Sequence, residues 1–257
     1  MNSPLCYIGG KSRMALRIVD MMPDHKQYVE LFFGAGWVFF KKEQSKYETI
    51  NDLDNDLITF YRVLQNHLEE FVKQFKFLLS SRKTFEDWKN QIECDGLTDI
   101  QRAVRYYYIQ KHAFSGRVKT RTFGVSKMRY PRINLLRIEE QLSELHLRLM
   151  RVQIENLPYE RCLTTYDSKD TFYFLDPPYY QKPFYKHNFD NISDFEILRD
   201  NLSRIKGKFI MTHHDVPEIR DIFKGYHIEP IDIKYSAGNS NKAKTQASKT
   251  ELIIMNY

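Results

Sequence analysis

The sequence predicts an α/β protein built on a parallel sheet, with a second, mainly helical module inserted into it. Three observations carry this. Short apolar runs alternate with helix-like stretches towards both ends of the chain, the pattern of strand–helix–strand units. Two of these runs stop in loops that cannot extend them, FGAG at 33–36 and DPPYY at 176–180. Between the two, roughly from Leu64 to Met150, the pattern changes to charged and aromatic helices. With 257 residues the chain is long enough for a core domain and a smaller insert. We therefore divide it into a sheet domain, residues 1–63 with 151–257, and an insert, residues 64–150.

The elements follow in order. QYVELF reads as a strand, FGAG as its loop and VFFKKEQ as the start of a helix. TINDLD is a second strand and DLITFYRVLQ the helix after it. In the insert, Thr98 with Gln101 three residues on is a capping box that opens a helix through Tyr106. SGRVKTRTFGVSK reads as a hairpin or loop, and LLRIEEQLSELHLRL as an amphipathic helix. TFYFLD is a strand, Ser193 with Glu196 a second capping box for a helix running towards Gly207, and KFIMTH the next strand. HIEPIDIKY and ELIIMNY are the last two strands, separated by the polar, basic SAGNSNKAKTQASKT, which reads as a mobile loop.

Charge narrows the class of partner. Lys and Arg number 39 against 33 Asp and Glu, a net +6. From Arg102 to Arg137 there are ten basic residues and no acid, interleaved with aromatics such as Tyr106, Tyr107, Tyr108 and Phe123. Uncompensated positive charge of this kind suits a phosphate backbone, so nucleic acid is the expected partner. Three cysteines, Cys6, Cys94 and Cys162, form no CxxC pair and are read as reduced thiols. No apolar run approaches a membrane span, so a soluble, cytoplasmic protein is expected. His213, His214 and Asp215 are ligand types, but neighbours on a strand face opposite sides, so no metal is expected there.

Two loops carry chemistry. In VELFFGAG, Gly34 and Gly36 let the chain turn sharply and a ligand approach the main chain at a strand's carboxyl end. The third glycine of a dinucleotide fingerprint is missing, which argues against NAD. Asp52, at the end of the next strand, can accept hydrogen bonds from ribose hydroxyls, and Asp54 competes for that role. In DPPYY, Pro177 and Pro178 remove two backbone donors and fix two φ angles, so the loop must be rigid and must hold Asp176 and Tyr179 in fixed relation. The lone pair of an exocyclic amine is delocalised into its base. Two acceptors, the Asp176 carboxylate and the Pro177 carbonyl, can hold the amine hydrogens out of plane and aim that lone pair at an electrophile. An aromatic ring at Tyr179 then stacks on the base.

With these residues in place, the chain resembles the Dam-type (alpha group) family of DNA adenine-N6 methyltransferases over nearly its whole length. YIGGKS at 7–12 looks like that family's amino-terminal cofactor motif, VELFFGAG its glycine loop, INDLDNDL its acidic motif and LDPPY its catalytic quartet. The resemblance implies a Rossmann-like S-adenosylmethionine-dependent sheet with a target-recognition insert carrying a hairpin. It implies S-adenosylmethionine as the methyl donor without a metal, and double-stranded DNA, read through a flipped adenine, as substrate. By this match Tyr7, Lys11, Phe32, Gly34, Asp52, Asn156, Leu157 and Asp176 form the cofactor site, while Asp176, Pro177, Pro178 and Tyr179 form the catalytic loop. Arg117, Lys119, Arg121 and Arg129 of the insert, and Asn239 and Lys242 of the late loop, are the expected DNA contacts. Tyr7, Leu31 and Trp37 stand where the family often has Trp, Pro and Ser. A bacterial or bacteriophage origin and a cognate restriction nuclease are compatible with the match. The alternatives are a cytosine-N4 or RNA-adenine methyltransferase, a catalytically silent DNA-binding subunit and a small-molecule methyltransferase.

Overall fold

The computed structural model describes residues 1–91, 94–125, 132–234 and 248–257. Its strands are β1 (Gln27–Glu30), β2 (Tyr47–Asn51), β3 (Val152–Glu155), β4 (Thr171–Leu175), β5 (Lys208–His214), β6 (His227–Lys234) and β7 (Ser248–Met255). They form one sheet in the order β3-β2-β1-β4-β5-β7-β6. The first five run parallel, and β7 is antiparallel to both its neighbours. Parallel strands covered on both faces are apolar along their whole length, and TFYFL in β4 is buried at every position. Pro230 is tolerated in β6 because that strand is at the edge.

Alternation along the strands divides the interior into two cores. Tyr28, Ile50, Phe172 and Phe174 face one side, where α1 (Ala15–Asp20) and α2 (Asn55–Asn66) lie. The region expected to form an insert follows with α3 (Leu68–Lys73), α4 (Arg82–Asn90), α5 (Asp99–His112) and α6 (Ile138–Leu149). Val29, Tyr173, Leu175 and Met211 face the other side, covered by α7 (Tyr159–Thr165), α8 (Ile192–Leu202) and α9 (Pro217–Ile222). Phe71, Phe85 and Tyr107 of the insert belong to the same apolar cluster as Tyr28 and Ile50. One link is a near-parallel stack of Phe60 in α2 on Tyr107 in α5, 5.5 Å between ring centres. Helices α3 to α6 thus share one apolar core with α2 and this face of the sheet.

The Thr98–Gln101 capping box opens α5 as its spacing predicts. The second box is displaced: Asn191 and Asp194 form it, two residues before Ser193 and Glu196, with the Asn191 N–H donating to Asp194 Oδ2 at 3.0 Å. VFFKKEQ is not a helix. Phe40 donates to the Gly36 carbonyl and Lys42 to that of Val38, but these turns go no further, because the Tyr47 N–H is already bonded to the Lys26 carbonyl at the start of β2. β7 starts at Ser248, inside the stretch read as linker. The hairpin region opens with a 3₁₀ turn, Phe114–Gly116, and is closed by an antiparallel bridge between Ala113 and Phe123. No helix among the described residues is long and apolar enough to cross a membrane.

Candidate active site

β1 lies between β2 and β4, so the strand order reverses there and the loops leaving their carboxyl ends part to form a crevice. Gly34 turns the chain out of β1 with φ +49°, a left-handed conformation that other residues adopt at a cost. This aims its N–H at Asp52 Oδ2, 2.8 Å away, while the Asp54 N–H reaches Oδ1 at 2.9 Å. Burial, reinforced by the neighbouring Asp54 carboxylate, pushes the Asp52 carboxyl up to about 6 against the pull of these donors. Asn51, buried at the end of β2, donates to the carbonyls of Leu31 and Leu157 and accepts the Leu157 N–H at 2.9 Å. One side chain thereby stitches together the loops that follow β1, β2 and β3.

The crevice is a cavity of about 360 Å³. Tyr7, Lys11, Phe32, Gly34, Asp52, Leu157 and Asp176, all expected from the sequence, contribute to its wall. Asn156 does not. It is exposed, and its side-chain amide donates to the Asp52 carbonyl at 2.7 Å, so it braces the acidic loop from outside. The sequence did not single out Tyr159, Tyr185 and Phe189 as site residues, and it flagged Trp37 only as a departure from the family; all four line the same space. Phe32 packs 5.5 Å from Tyr159 and edge-on to Phe189, closing one end with three rings. Tyr185 lies nearly parallel to Tyr7, 5.9 Å away, and donates to the Ile8 carbonyl at 2.9 Å. Glu30 is a further lining residue. It is 2% exposed, accepts the Tyr28 hydroxyl at 2.6 Å, and burial pushes its carboxyl up to about 8.

Asp176 stands where β4 ends. The Lys11 ammonium, 2.7 and 2.8 Å from its two oxygens, also donates to the Gly9 carbonyl. The Thr212 hydroxyl, from β5, donates to Oδ1 at 2.8 Å. Burial raises the Asp176 carboxyl above its ordinary range, and Lys11 and Thr212 oppose that rise. Pro177 is buried and Pro178 reaches the cavity wall. The Lys11 ammonium is 4.6 Å from the centre of the Tyr179 ring. The Tyr179 hydroxyl donates to Glu251 Oε2 at 3.0 Å, and Glu251 also lies 3.9 Å from Lys11. An acid opening the apolar run ELIIMNY was the available signal for Glu251, but nothing local connects it to residue 179. His213 and His214 pack against the Tyr179 ring, whereas Asp215 is paired with Arg220. Among the described residues no group of His, Cys, Asp or Glu is arranged to hold a metal.

The basic run divides. Arg117 and Lys119 are exposed, Arg117 leaning over Phe114. Arg121 turns inward over the Tyr106 ring at 5.5 Å, on the side of Asp54. Lys111 and Arg132 donate to the carbonyls of Pro4 and Ala113 and so hold the insert to itself and to the amino-terminal segment. Arg129, Asn239 and Lys242 lie outside the described residues. Helix α5 and the 3₁₀ turn after it also touch the segment around Tyr7 directly. Gln110 donates to the carbonyls of Cys6 and Gly116, and the Ile8 N–H donates to that of Gly116 at 3.0 Å.

Comparison with known proteins gives the same direction as the geometry. The Type II methyltransferase M1.LlaDCHI of Lactococcus lactis subsp. cremoris is 26% identical, over 98% of this chain and 94% of its own. The Type II methyltransferase M.CviBI of Paramecium bursaria Chlorella virus NC1A is 25% identical, over 98% of each. The DNA N-6-adenine-methyltransferase of Escherichia phage P1 is 24% identical over 88% of this chain, which spans 32% of that longer protein. The model of one family matches residues 7–237, from the tyrosine of the glycine–lysine motif to beyond β6. The chain belongs to the D12 class N6 adenine-specific DNA methyltransferases.

Proposed function

We propose that the cavity holds S-adenosylmethionine and that the loop Asp176–Tyr179 presents to it the N6 amine of an adenine flipped out of duplex DNA. The observation that carries this is the meeting of three strand ends in one space: Gly34 and Asp52 on its wall, with Asp176 at the same edge of the sheet. A cavity of about 360 Å³ lined at one end by rings and elsewhere by carboxylates such as Asp52, Asp54 and Asp176 suits a nucleoside-sized ligand with an apolar ring system and polar hydroxyls. When bound, S-adenosylmethionine supplies a methyl group on a sulfonium, an electrophile that needs no further activation.

The protein's part is positioning. Asp52, its carboxylate fixed by the N–H groups of Gly34 and Asp54, offers its remaining lone pairs to ribose hydroxyls. The aromatic end at Phe32, Tyr159 and Phe189 excludes water from an apolar ring system. Asp176 and the Pro177 carbonyl accept the two amine hydrogens, which localises the nitrogen lone pair towards the methyl group. Lys11 bonds both Asp176 oxygens and Thr212 bonds Oδ1, so Oδ2 keeps a lone pair for the amine hydrogen. As the nitrogen takes the methyl group, the electron pair of the broken carbon–sulfur bond would return to sulfur, leaving a neutral thioether, and the Asp176 carboxylate would stabilise the positive nitrogen until a proton leaves to solvent. Tyr179 stacks on the flipped base. Arg117 and Lys119 contact DNA, as do Arg129, Asn239 and Lys242, and residues 64–150 form the target-reading module. A cognate restriction nuclease fits this reading, since the relatives include Type II methyltransferases.

The test is methyl transfer from labelled S-adenosylmethionine to unmethylated duplex DNA, followed by digestion to nucleosides. Label in N6-methyldeoxyadenosine is expected. Label in N4-methylcytosine, label only in RNA, or no label with intact DNA binding would overturn the proposal in favour of another amine or a silent subunit.

A further inference from the structure

We propose that His213 is a positioning residue for methyl transfer, locking the loop that carries Tyr179 through the main-chain amide of Tyr180; this rests on the reading of Asp176–Tyr179 as the catalytic loop. Pro177 and Pro178 have no amide hydrogens, so the first loop donors after them are the amides of Tyr179 and Tyr180, while the Tyr179 carbonyl accepts the Lys182 N–H at 3.0 Å. The Tyr180 N–H finds its partner in a side chain: it donates to His213 Nε2 at 2.9 Å. His213 is fully buried in β5. Its Nδ1 lies 2.8 Å from the His214 carbonyl, a group that can only accept, so Nδ1 carries the hydrogen and Nε2 keeps its lone pair for Tyr180. Burial holds the imidazole neutral, with its pKa lowered to about 3. The ring is also clamped by packing, edge-on to Phe195 of α8 at 5.0 Å and 4.7 Å from the Tyr179 ring.

Neighbouring residues of β5 divide the work. Thr212 holds the Asp176 carboxylate, and His213, on the opposite face, holds the backbone of the same loop. His213 is not part of the cavity wall. Its loss should therefore disturb the placing of the catalytic loop far more than cofactor binding.

The full chain is compared with His213→Phe, which keeps bulk but leaves the Tyr180 amide unpaired, and His213→Gln, which restores an acceptor. The readouts are kcat, KM for S-adenosylmethionine, melting temperature and exchange of the Tyr180 amide. For His213→Phe, kcat should fall by about 10- to 100-fold, as misplacement of a reacting group does, with KM for S-adenosylmethionine within about twofold and amide protection lost. His213→Gln should recover most of both. The proposal is overturned if His213→Phe retains kcat within about twofold of the parent chain, or if glutamine restores the melting temperature without restoring kcat. Should the phenylalanine variant not fold, the parent chain still decides: fast exchange of the Tyr180 amide, like that of an exposed loop, refutes the clamp. Absence of methyl transfer in the parent chain would refute the catalytic reading instead, and the exchange measurement would still report on the clamp.

Discussion

Asp176 is held between a cation and a hydroxyl before any substrate arrives, so its position does not depend on the base it is to receive. Replacing it by alanine removes the acceptor and leaves Lys11 near the cavity without its closest carboxylate. Asp176→Ala should lower kcat by at least about 10²- to 10³-fold, the scale for losing one preorganised electrostatic group, in a single-turnover methylation assay. Near-normal turnover would remove Asp176 from the mechanism. Asp52 sets a different test. With its carboxyl raised to about 6, it is increasingly protonated as pH falls through that value and loses acceptor capacity for ribose hydroxyls. Affinity for S-adenosylmethionine should rise with pH up to about 6 and level off above, changing by up to about tenfold per pH unit on the acid side. Calorimetric titration of the protein and of Asp52→Asn checks this, because the variant should bind weakly and lose the slope. Gly34, Asp52 and Asp176 were legible in the sequence because each ends a strand in a local pattern of residue types. Glu251, His213 and Tyr185 were not legible as site residues. Glu251 and His213 reach the site from other strands, and Tyr185 joins it by folding back onto Ile8, contacts that no spacing between neighbours records.

At the scale of elements, β4 and α5 were readable because one physical requirement dominates each: complete burial for TFYFL, and a reciprocal cap for Thr98 and Gln101. β3, α7 and α9 went unread because they are short and partly exposed, so neither an apolar run nor a helical period has room to emerge. The false helix at 38–44 arose because the turns from Gly36 to Lys42 do begin with helical bonds, and only the start of β2 at Tyr47, bonded to the distant Lys26, cuts them short. The link between the insert and the amino-terminal segment was equally invisible, yet it has a measurable price. Gly116 sits at φ +65°, and a Cβ there would lie 2.6 Å from the Cys6 backbone. Gly116→Ala should destabilise the protein by roughly 1–3 kcal/mol, combining backbone strain with that collision, as read from urea unfolding. It should also weaken S-adenosylmethionine binding, because Ile8 and the Tyr7 ring follow the displaced segment. Unchanged affinity would show that the two contacts are mechanically independent.

For the molecule as a whole, the net charge of +6 is less informative than its placement. Part of the acid-free stretch is used internally, by Lys111, Arg121 and Arg132, while Arg117 and Lys119 remain exposed to meet a polyanion. The slope of log affinity for DNA against log salt should therefore shrink by about 1 for each of Arg117→Gln and Lys119→Gln, measured by fluorescence anisotropy on labelled duplex. Slopes equal to that of the parent chain would move the DNA to another face. The shared core of sheet and insert makes it natural for both to report on one binding event, and the protein carries the means to observe it. Its two tryptophans are divided between them: Trp37 in the cavity wall, and Trp88 in α4, packed edge-on to Tyr108 beneath Arg105. Emission from Trp37 should change as the cavity fills, while Trp88 provides a separate signal from the insert. Single-tryptophan variants would then resolve, without any attached dye, whether the cofactor or the DNA arrives first and how quickly one part of the protein senses the other.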